Sequence, residues 1–383
     1  MTTPRSALTR RILGAIDASP SRIPVLIGGC GSGRTTLLHL LRDRIGRTSA
    51  QYIDVERTAT TPERFHRAVT ALAPFPSSDS ASPGARAAFD TTLAFFTQAR
   101  VAGSEPATFL LDEFLELRTF ESFPGLRRVL HDLVDGLSSS SNRFVLSSRY
   151  VARALRLLRD QSARFEVIHV PPLTMEDTID ILRLSTNPAE LQESEFSARA
   201  LQSLTDGRPV YVRAIADELL ATRGRAIARG DAISALAALL SPDGHLAKYC
   251  GFCYELRLHR ARGYGALKAI LEILAEEEGL TLTEISQRLQ RTPGSTKDYL
   301  SWLEDVDLVT ARQKRYSFAD SLLRLWVRLY CRASAPTEDD LAREIHRYAL
   351  PRLPQPEPAL ALATAGSGPA DEEKKGWGII EID

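Results

Sequence analysis

Residues 28–35, Gly28-Gly29-Cys30-Gly31-Ser32-Gly33-Arg34-Thr35, constrain this chain more than any other stretch. They follow the apolar run IPVLI (23–27) directly and precede 35–45, where apolar residues recur at three- and four-residue spacing. A strand that passes through a glycine turn into a helix aims backbone N–H groups at one point, beside the positive end of the helix dipole. The run fits G-x-x-x-x-G-x-[ST] in the one context where that pattern has a physical meaning, a backbone cradle for phosphate. Gly28, Gly29, Cys30, Gly31, Ser32, Gly33 and Arg34 would form the cradle, with Thr35 and Thr36 opening the helix and the Thr35 hydroxyl able to reach Mg²⁺. Where such a loop carries lysine, this one carries Arg34.

A second motif turns that turn into half of a site. Phe109-Leu-Leu-Asp112-Glu113 ends an apolar strand in two carboxylates. In phosphate-cleaving sites an aspartate there holds Mg²⁺, and Glu113, one residue beyond the strand end, can polarise an attacking water. Ser148 and Arg149, closing the run VLSSR, can sense a γ-phosphate if their strand lies beside the one that carries Asp112. Gly207-Arg208-Pro209 opens a helix that would bring Pro209 over a nucleotide base.

Five runs read as strands, 23–27, 51–55, 108–111, 143–147 and 165–170, separated by helical patterns such as 35–45 and 126–137. That rhythm predicts a parallel sheet covered by helices. The proline- and serine-rich stretch 74–84 reads as a mobile surface loop. From Leu173 to Leu240 the pattern is helical, as expected of a lid. Residues 266–332 run helix, the capping-box sequence Thr281-Leu-Thr-Glu284, a turn at Pro293-Gly294, a helix over 295–305, two short strands (308–310 and 315–318) and an apolar helix. This is the order of a helix-turn-helix with a wing. The expected boundaries are 1–172 for the core, 173–263 for the lid and linker, 264–333 for the winged unit and 334–383 for a flexible, proline-rich tail.

With 383 residues, 48 basic and 48 acidic, the chain is a multidomain globular protein with no bulk charge, so nucleic acid must be met by a local patch. Residues 281–332 supply one: nine basic against six acidic residues, with Arg312, Lys314 and Arg315 at the wing and Arg291, Thr296 and Lys297 near the start of the recognition helix. A DNA contact and a protein-docking role both fit. No run is long and apolar enough to cross a membrane, and four scattered cysteines suit a reducing compartment, so the expected address is cytoplasmic. Cys250-Gly-Phe-Cys253 lies near His245 and His259; zinc, redox chemistry and simple burial of two thiols are its three readings. The last residues hold an apolar cluster, Trp377 to Ile382, set among acids and suited to docking on a partner protein.

Taken in order, residues 28–35, LLDEFLEL (110–117), LSSR (146–149), VPPLTMEDTIDIL (170–182), TDGRPVYV (205–212) and YSFADSLLRLWVRLY (316–330) resemble the archaeal-type ATPases of the STAND and AAA+ groups. The resemblance covers roughly 10–332. It implies a P-loop NTPase core with a parallel sheet, a helical lid that follows the nucleotide, and a C-terminal winged helix. It also implies ATP or ADP with Mg²⁺ on Thr35 and Asp112, and a homo-oligomer in which a neighbour lends an arginine finger, with Arg127, Arg128, Arg153 and Arg156 as candidates. Arg34 departs from the pattern: a planar guanidinium is no substitute for a compact ammonium, and no lysine occurs in the first 247 residues. The expectation is an ATP-binding switch with slow hydrolysis; the alternatives are a non-hydrolysing scaffold and a DNA-binding regulator with a vestigial loop.

Overall fold

The computed structural model describes residues 5–76, 84–185, 194–221, 229–259 and 263–353. Most of the loop expected at 74–84 lies outside them, as do most of the expected tail and the whole of Trp377 to Ile382.

Five strands, β1 (Ile23–Ile27), β2 (Ala50–Asp54), β3 (Thr108–Asp112), β4 (Arg143–Ser148) and β5 (Phe165–His169), pair in parallel in the order β2-β3-β4-β1-β5. A parallel sheet is covered on both faces, so its strands are apolar at successive positions instead of alternating with polar ones. The two faces feed two cores. Val25, Ile27, Phe109, Leu111, Phe144 and Leu146 point to one, and Leu26, Leu110, Val145 and Ile168 to the other, against Leu37, Leu38 and Leu41 of the helix Arg34–Ile45. Phe109 anchors the larger face: its ring meets Phe75, Phe95, Phe96 and Phe144 at centroid distances of 5.4, 5.8, 5.0 and 5.6 Å. β4 lies between β1 and β3, and the register places Ile27 beside Ser148 and Leu111 beside Leu146. The carboxyl ends of these three strands therefore open together, where parallel sheets bind ligands.

Beyond β5 the chain is helical, with helices Met175–Ser185, Ser194–Thr205, Pro209–Ala221, Arg229–Leu240 and His245–Leu258. The winged unit follows: helices Tyr264–Glu276, Leu282–Leu289 and Pro293–Asp305, the antiparallel strands β6 (Leu280–Thr281), β7 (Val309–Arg312) and β8 (Arg315–Phe318) in the order β6-β8-β7, and the helix Ser321–Tyr330. The Thr281 hydroxyl accepts from Glu284 N while Thr281 N donates to the Glu284 carboxylate, so the capping box forms. Pro293 is the first residue of its helix, not part of a separate turn, because Thr292 caps it and proline needs no N–H there. The wing turns on Gln313 and Lys314, both left-handed, the geometry that suits the twist of a two-residue hairpin.

Part of the stretch expected as a tail from 334 is helical. Residues Glu338–Ala349 form a helix, opened by a second capping box between Thr337 and Asp340, and bury Ile345 and Ala349 against the helical layer. The apolar spacing Leu341, Ile345, Ala349 carries this packing, and Leu353, beyond Pro351, continues it.

Replacing Phe109 with alanine removes the ring on which four others pack. The expected loss is about 3–5 kcal/mol, read as a lower urea midpoint at unchanged m-value.

Candidate functional site

Gly31 and Gly33 adopt φ of 74° and 81°, so the loop 28–33 curls as only glycine allows without strain. Gly33 makes no side-chain cap for the helix Arg34–Ile45, which leaves the first-turn N–H groups free to face a ligand. Into the curl folds Arg34, 7% exposed. Its Nη1 donates to Gly28 O, to Gly29 O at 2.6 Å and to Ser32 Oγ at 2.7 Å. Its Nη2 donates to Glu113 Oε1 at 2.7 Å.

The acids at the end of β3 are equally committed. Thr35 Oγ1 donates to Asp112 Oδ2 at 2.6 Å and Tyr52 OH to the same oxygen at 2.9 Å, while the Ser147 hydroxyl donates to Oδ1. Burial and the Asp112 charge push the Tyr52 phenol above its ordinary range, so it stays a donor. Glu113 stands at φ 54°, left-handed for a residue that is not glycine. Besides Arg34, its carboxylate receives Arg149 N at 2.9 Å, and Arg149 Nε lies 3.2 Å from it. Arg149 also pairs with Glu56. Burial alone would lower the Arg149 guanidinium; Glu113, Cys30 and Glu56 together hold it above its ordinary value.

The residues expected at the site thus meet at the strand ends, with one exception. Ser148 is fully buried and its hydroxyl accepts from Tyr150 N at 3.0 Å, which removes it from contact with a ligand. Its neighbour Ser147 does the polar work by holding Asp112.

Beside the cradle opens a cavity of about 530 Å³ lined by Gly31, Ser32, Gly33, Arg34, Thr35, Thr36 and Pro209, by apolar Leu40, Leu173, Ile181 and Val210, and by two cations, Arg5 and Arg213. Both cations were beyond the sequence reading. Arg213 stands four residues after Pro209 on one helix, a spacing that would have found it. Arg5, whose Nη1 and Nη2 donate to Ser32 O at 2.7 Å and Pro171 O at 2.6 Å, left no signal in the sequence.

The cradle is gripped from its other side. Arg208 Nη1 donates to Cys30 O at 3.0 Å and lies 3.4 Å from Asp320. A Cβ added at Gly31 would stand 2.3 Å from Val210 Cγ1, and one at Gly29 would stand 2.6 Å from Asp307 Oδ2 and 3.0 Å from Arg208 Nη1. Asp307 belongs to the turn between the recognition helix and β7, left-handed at φ 57°, and its carbonyl accepts from Arg257 Nη1 at 2.8 Å. Burial raises its carboxyl to about 6, against the opposing pull of Arg257 and Arg208. Two of the arginine-finger candidates join the same contact, since Arg156 and Arg153 pair with Asp305 at 2.7 and 3.8 Å; Arg127 and Arg128 are exposed.

On the winged unit Arg291, Lys297, Arg312, Lys314 and Arg315 are exposed, whereas Thr296 is buried and bonds back to Thr292 O, which takes it out of the patch. Cys250 and Cys253 are buried on the helix His245–Leu258, and among the described residues no three His, Cys, Asp or Glu side chains come together as a metal site. No helix among them is long and apolar enough to cross a membrane.

A family model described as winged helix-turn-helix DNA-binding matches residues 266–310. No curated protein matches the sequence. Among solved structures, a Walker-type ATPase of Pyrococcus abyssi is similar over 85% of this chain and 96% of its own, at 16% identity and a TM-score of 0.63. ORC1 of Aeropyrum pernix, solved in complex with DNA, is similar over 92% and 95% at 16% identity and a TM-score of 0.44. RuvB of Thermotoga maritima covers 82% and 92% at 13% identity and a TM-score of 0.43. The chain has the P-loop ATPase fold of the first of these, with a winged helix-turn-helix behind it.

Asp307 gives the contact a pH signature. With its carboxyl raised in the native state above the ordinary 3.8, the folded protein takes up a proton near pH 6 that the unfolded chain takes up only near 4. Relative to Asp307→Asn, the wild type should therefore gain thermal stability as pH falls from 7 to 5, measured by melting both proteins across that range.

Proposed function

We propose that this chain is an ATP-binding switch in which the phosphate cradle, the lid and the winged unit are mechanically linked, so that nucleotide state governs what the winged unit binds. The observation that carries it is the grip on the loop: Arg208 and Val210 from the lid and Asp307 from the winged unit all meet residues 29–31. Phosphates entering the cradle would bring negative charge beside Asp307 and would compete with Glu113 for Arg34. Pro209, Val210, Leu173 and Ile181 would give the base and sugar an apolar slot, and Arg213 and Arg5, which line the same cavity, would add positive charge for the phosphates.

The donor set at Thr35 and Asp112, a hydroxyl and a carboxylate 2.6 Å apart, fits a hard cation. These two residues would hold Mg²⁺, which supplies charge neutralisation on the phosphates. Glu113 orients the attacking water once Arg34 has left it for a phosphate. Until then it is neutralised by Arg34 and Arg149, and turnover is slow. A non-hydrolysing scaffold is the second reading, favoured by the number of bonds that hold Arg34 in place. Arg291, Lys297, Arg312 and Lys314 suit the phosphates of duplex DNA on the exposed side of the winged unit. A partner protein at Trp377 to Ile382 and a homo-oligomer that completes the site with an arginine belong to the same reading.

Mg²⁺-dependent ATP turnover, with and without duplex DNA, tests it against Glu113→Gln. We expect wild-type turnover well below the roughly 10 s⁻¹ of a typical enzyme, abolished by Glu113→Gln, stimulated by DNA and raised by Arg34→Lys. ATP binding without turnover selects the scaffold, and no ATP binding at all defeats both.

A further inference from the structure

The helix Glu338–Ala349 packs on the helix Ser321–Tyr330, and between them opens another cavity, of about 120 Å³. Three arginines line it, Arg324, Arg328 and Arg347, together with Ser321, Tyr348 and Glu344. Two of the arginines have a duty that explains them. Arg324 Nε and Arg328 Nη1 donate to Ala275 O at 3.0 and 3.1 Å, and both side chains reach Glu276 O. These carbonyls end the helix Tyr264–Glu276, where acceptors lack partners and cations are favoured. Arg324 also lies 2.8 Å from Glu278, and Arg328 donates to the two Glu344 oxygens at 2.8 and 3.2 Å.

Arg347 has no such duty. Glu344, three residues before it on the same helix face, is the ordinary partner at that spacing. Both Glu344 oxygens are already taken by Arg328, and one of them also accepts from Arg332 at 3.0 Å. No carboxylate among the described residues pairs with Arg347. Burial, and after it the charges of Arg328, Arg352 and Arg347, lower the Arg324 guanidinium from its ordinary value against the pull of Glu278. Like charges gathered around one cavity repel, and the capping of the helix Tyr264–Glu276 does not need the third of them.

We propose that this cavity is a binding site for a phosphate-class oxyanion, held by Arg347 together with the spare N–H groups of Arg324 and Arg328. A guanidinium offers its donors in a planar fork that matches such an ion, and the partners named above leave donors over on both arginines of the floor. The hydroxyls on the wall are committed elsewhere, Ser321 to Asp206 and Tyr348 to Leu204 O at 2.6 Å, so the guanidiniums carry the recognition. The volume suits a four-oxygen ion and excludes a nucleotide, since sites for larger ligands begin at about 300 Å³. The ion would tie the winged unit, through Arg324 and Arg328, to the helix Glu338–Ala349, through Arg347. Beside it, Asp206 at the end of a lid helix accepts from Ser321 and pairs with Arg352 at 2.9 Å, so the same ion stiffens the joint between lid and winged unit. None of this depends on Arg34 or on what enters the cradle.

The test titrates the full chain with inorganic phosphate, with and without ADP, by calorimetry and by thermal melting at constant ionic strength with chloride as the balancing anion. We expect saturable phosphate binding that ADP leaves in place, and a melting temperature that rises with phosphate and not with chloride. Arg347→Gln, at an exposed position, should weaken that binding by about tenfold or more. Arg343→Gln, on the same helix but outside the cavity, should bind phosphate as the wild type does. Absence of saturable binding overturns the proposal. So does binding that survives Arg347→Gln, which assigns the ion to the cradle where ADP displaces it, and so does an equal loss in Arg343→Gln, which is general charge attraction only.

Discussion

The arrangement at the strand ends depends on one buried ion pair, Arg34 with Glu113, both under a tenth exposed. A buried pair repays the desolvation of its charges only when further hydrogen bonds satisfy the remaining donors and acceptors. Here most are met: three oxygens of the loop take Arg34 Nη1 and Arg149 N donates to the second oxygen of Glu113, while Arg34 Nε has no hydrogen-bond partner. The guanidinium thereby closes a loop whose glycines have no side chains to close it. Removing either member would strand the other, at about 3–5 kcal/mol for a pair of this kind.

One hydrophobic cluster runs from the sheet through the helical layer into the winged unit, and beside it a set of polar contacts leads outward from that pair. Glu113 reaches Ser147 through its backbone, Ser147 reaches Asp112, and Asp112 reaches Thr35 at the head of the next helix. On the loop's other flank, Arg208 touches Cys30 and Asp320, so a single lid side chain reads both the cradle and the start of the last winged-unit helix. Asp305 and Asp307 extend this to Arg153, Arg156 and Gly29. Charged contacts of this kind are exchangeable in a way that packed aliphatic ones are not.

The strands, their parallel order and the winged unit were legible because each rests on local rules: apolar runs bounded by turns, three- and four-residue spacing, a capping box at Thr281. Asp112, Glu113, Arg149 and the loop were legible as a set for the same reason, since strand ends fix where their side chains begin. What escaped was decided by rotamer and by distant chain. Which of Ser147 and Ser148 turned inward depended on pleat, and a one-residue difference reverses the face. The helix Glu338–Ala349 was hidden by the proline-rich sequence after it, although Thr337 and Asp340 carry the same capping signal as Thr281 and Glu284. Arg5 and Asp307 reach the loop from distant parts of the chain, and nothing in local pattern encodes such pairs.

Backbone strain marks the same places from an independent direction. Glu113, Asp307, Gln313 and Lys314 all occupy left-handed φ, a region that favours glycine and costs other residues of order 1 kcal/mol. At a mere turn, glycine would relieve that strain at no loss. Each of these four instead presents a side chain that glycine would delete: a carboxylate on Arg34, a carboxylate against the cradle, and the polar and cationic tip of the wing. At these four positions the fold keeps a charged or polar side chain in spite of the strain, at the loop, at its joint with the winged unit and at the exposed tip, while Arg5, Ser104, Asp206 and Gln290 share the same left-handed φ elsewhere.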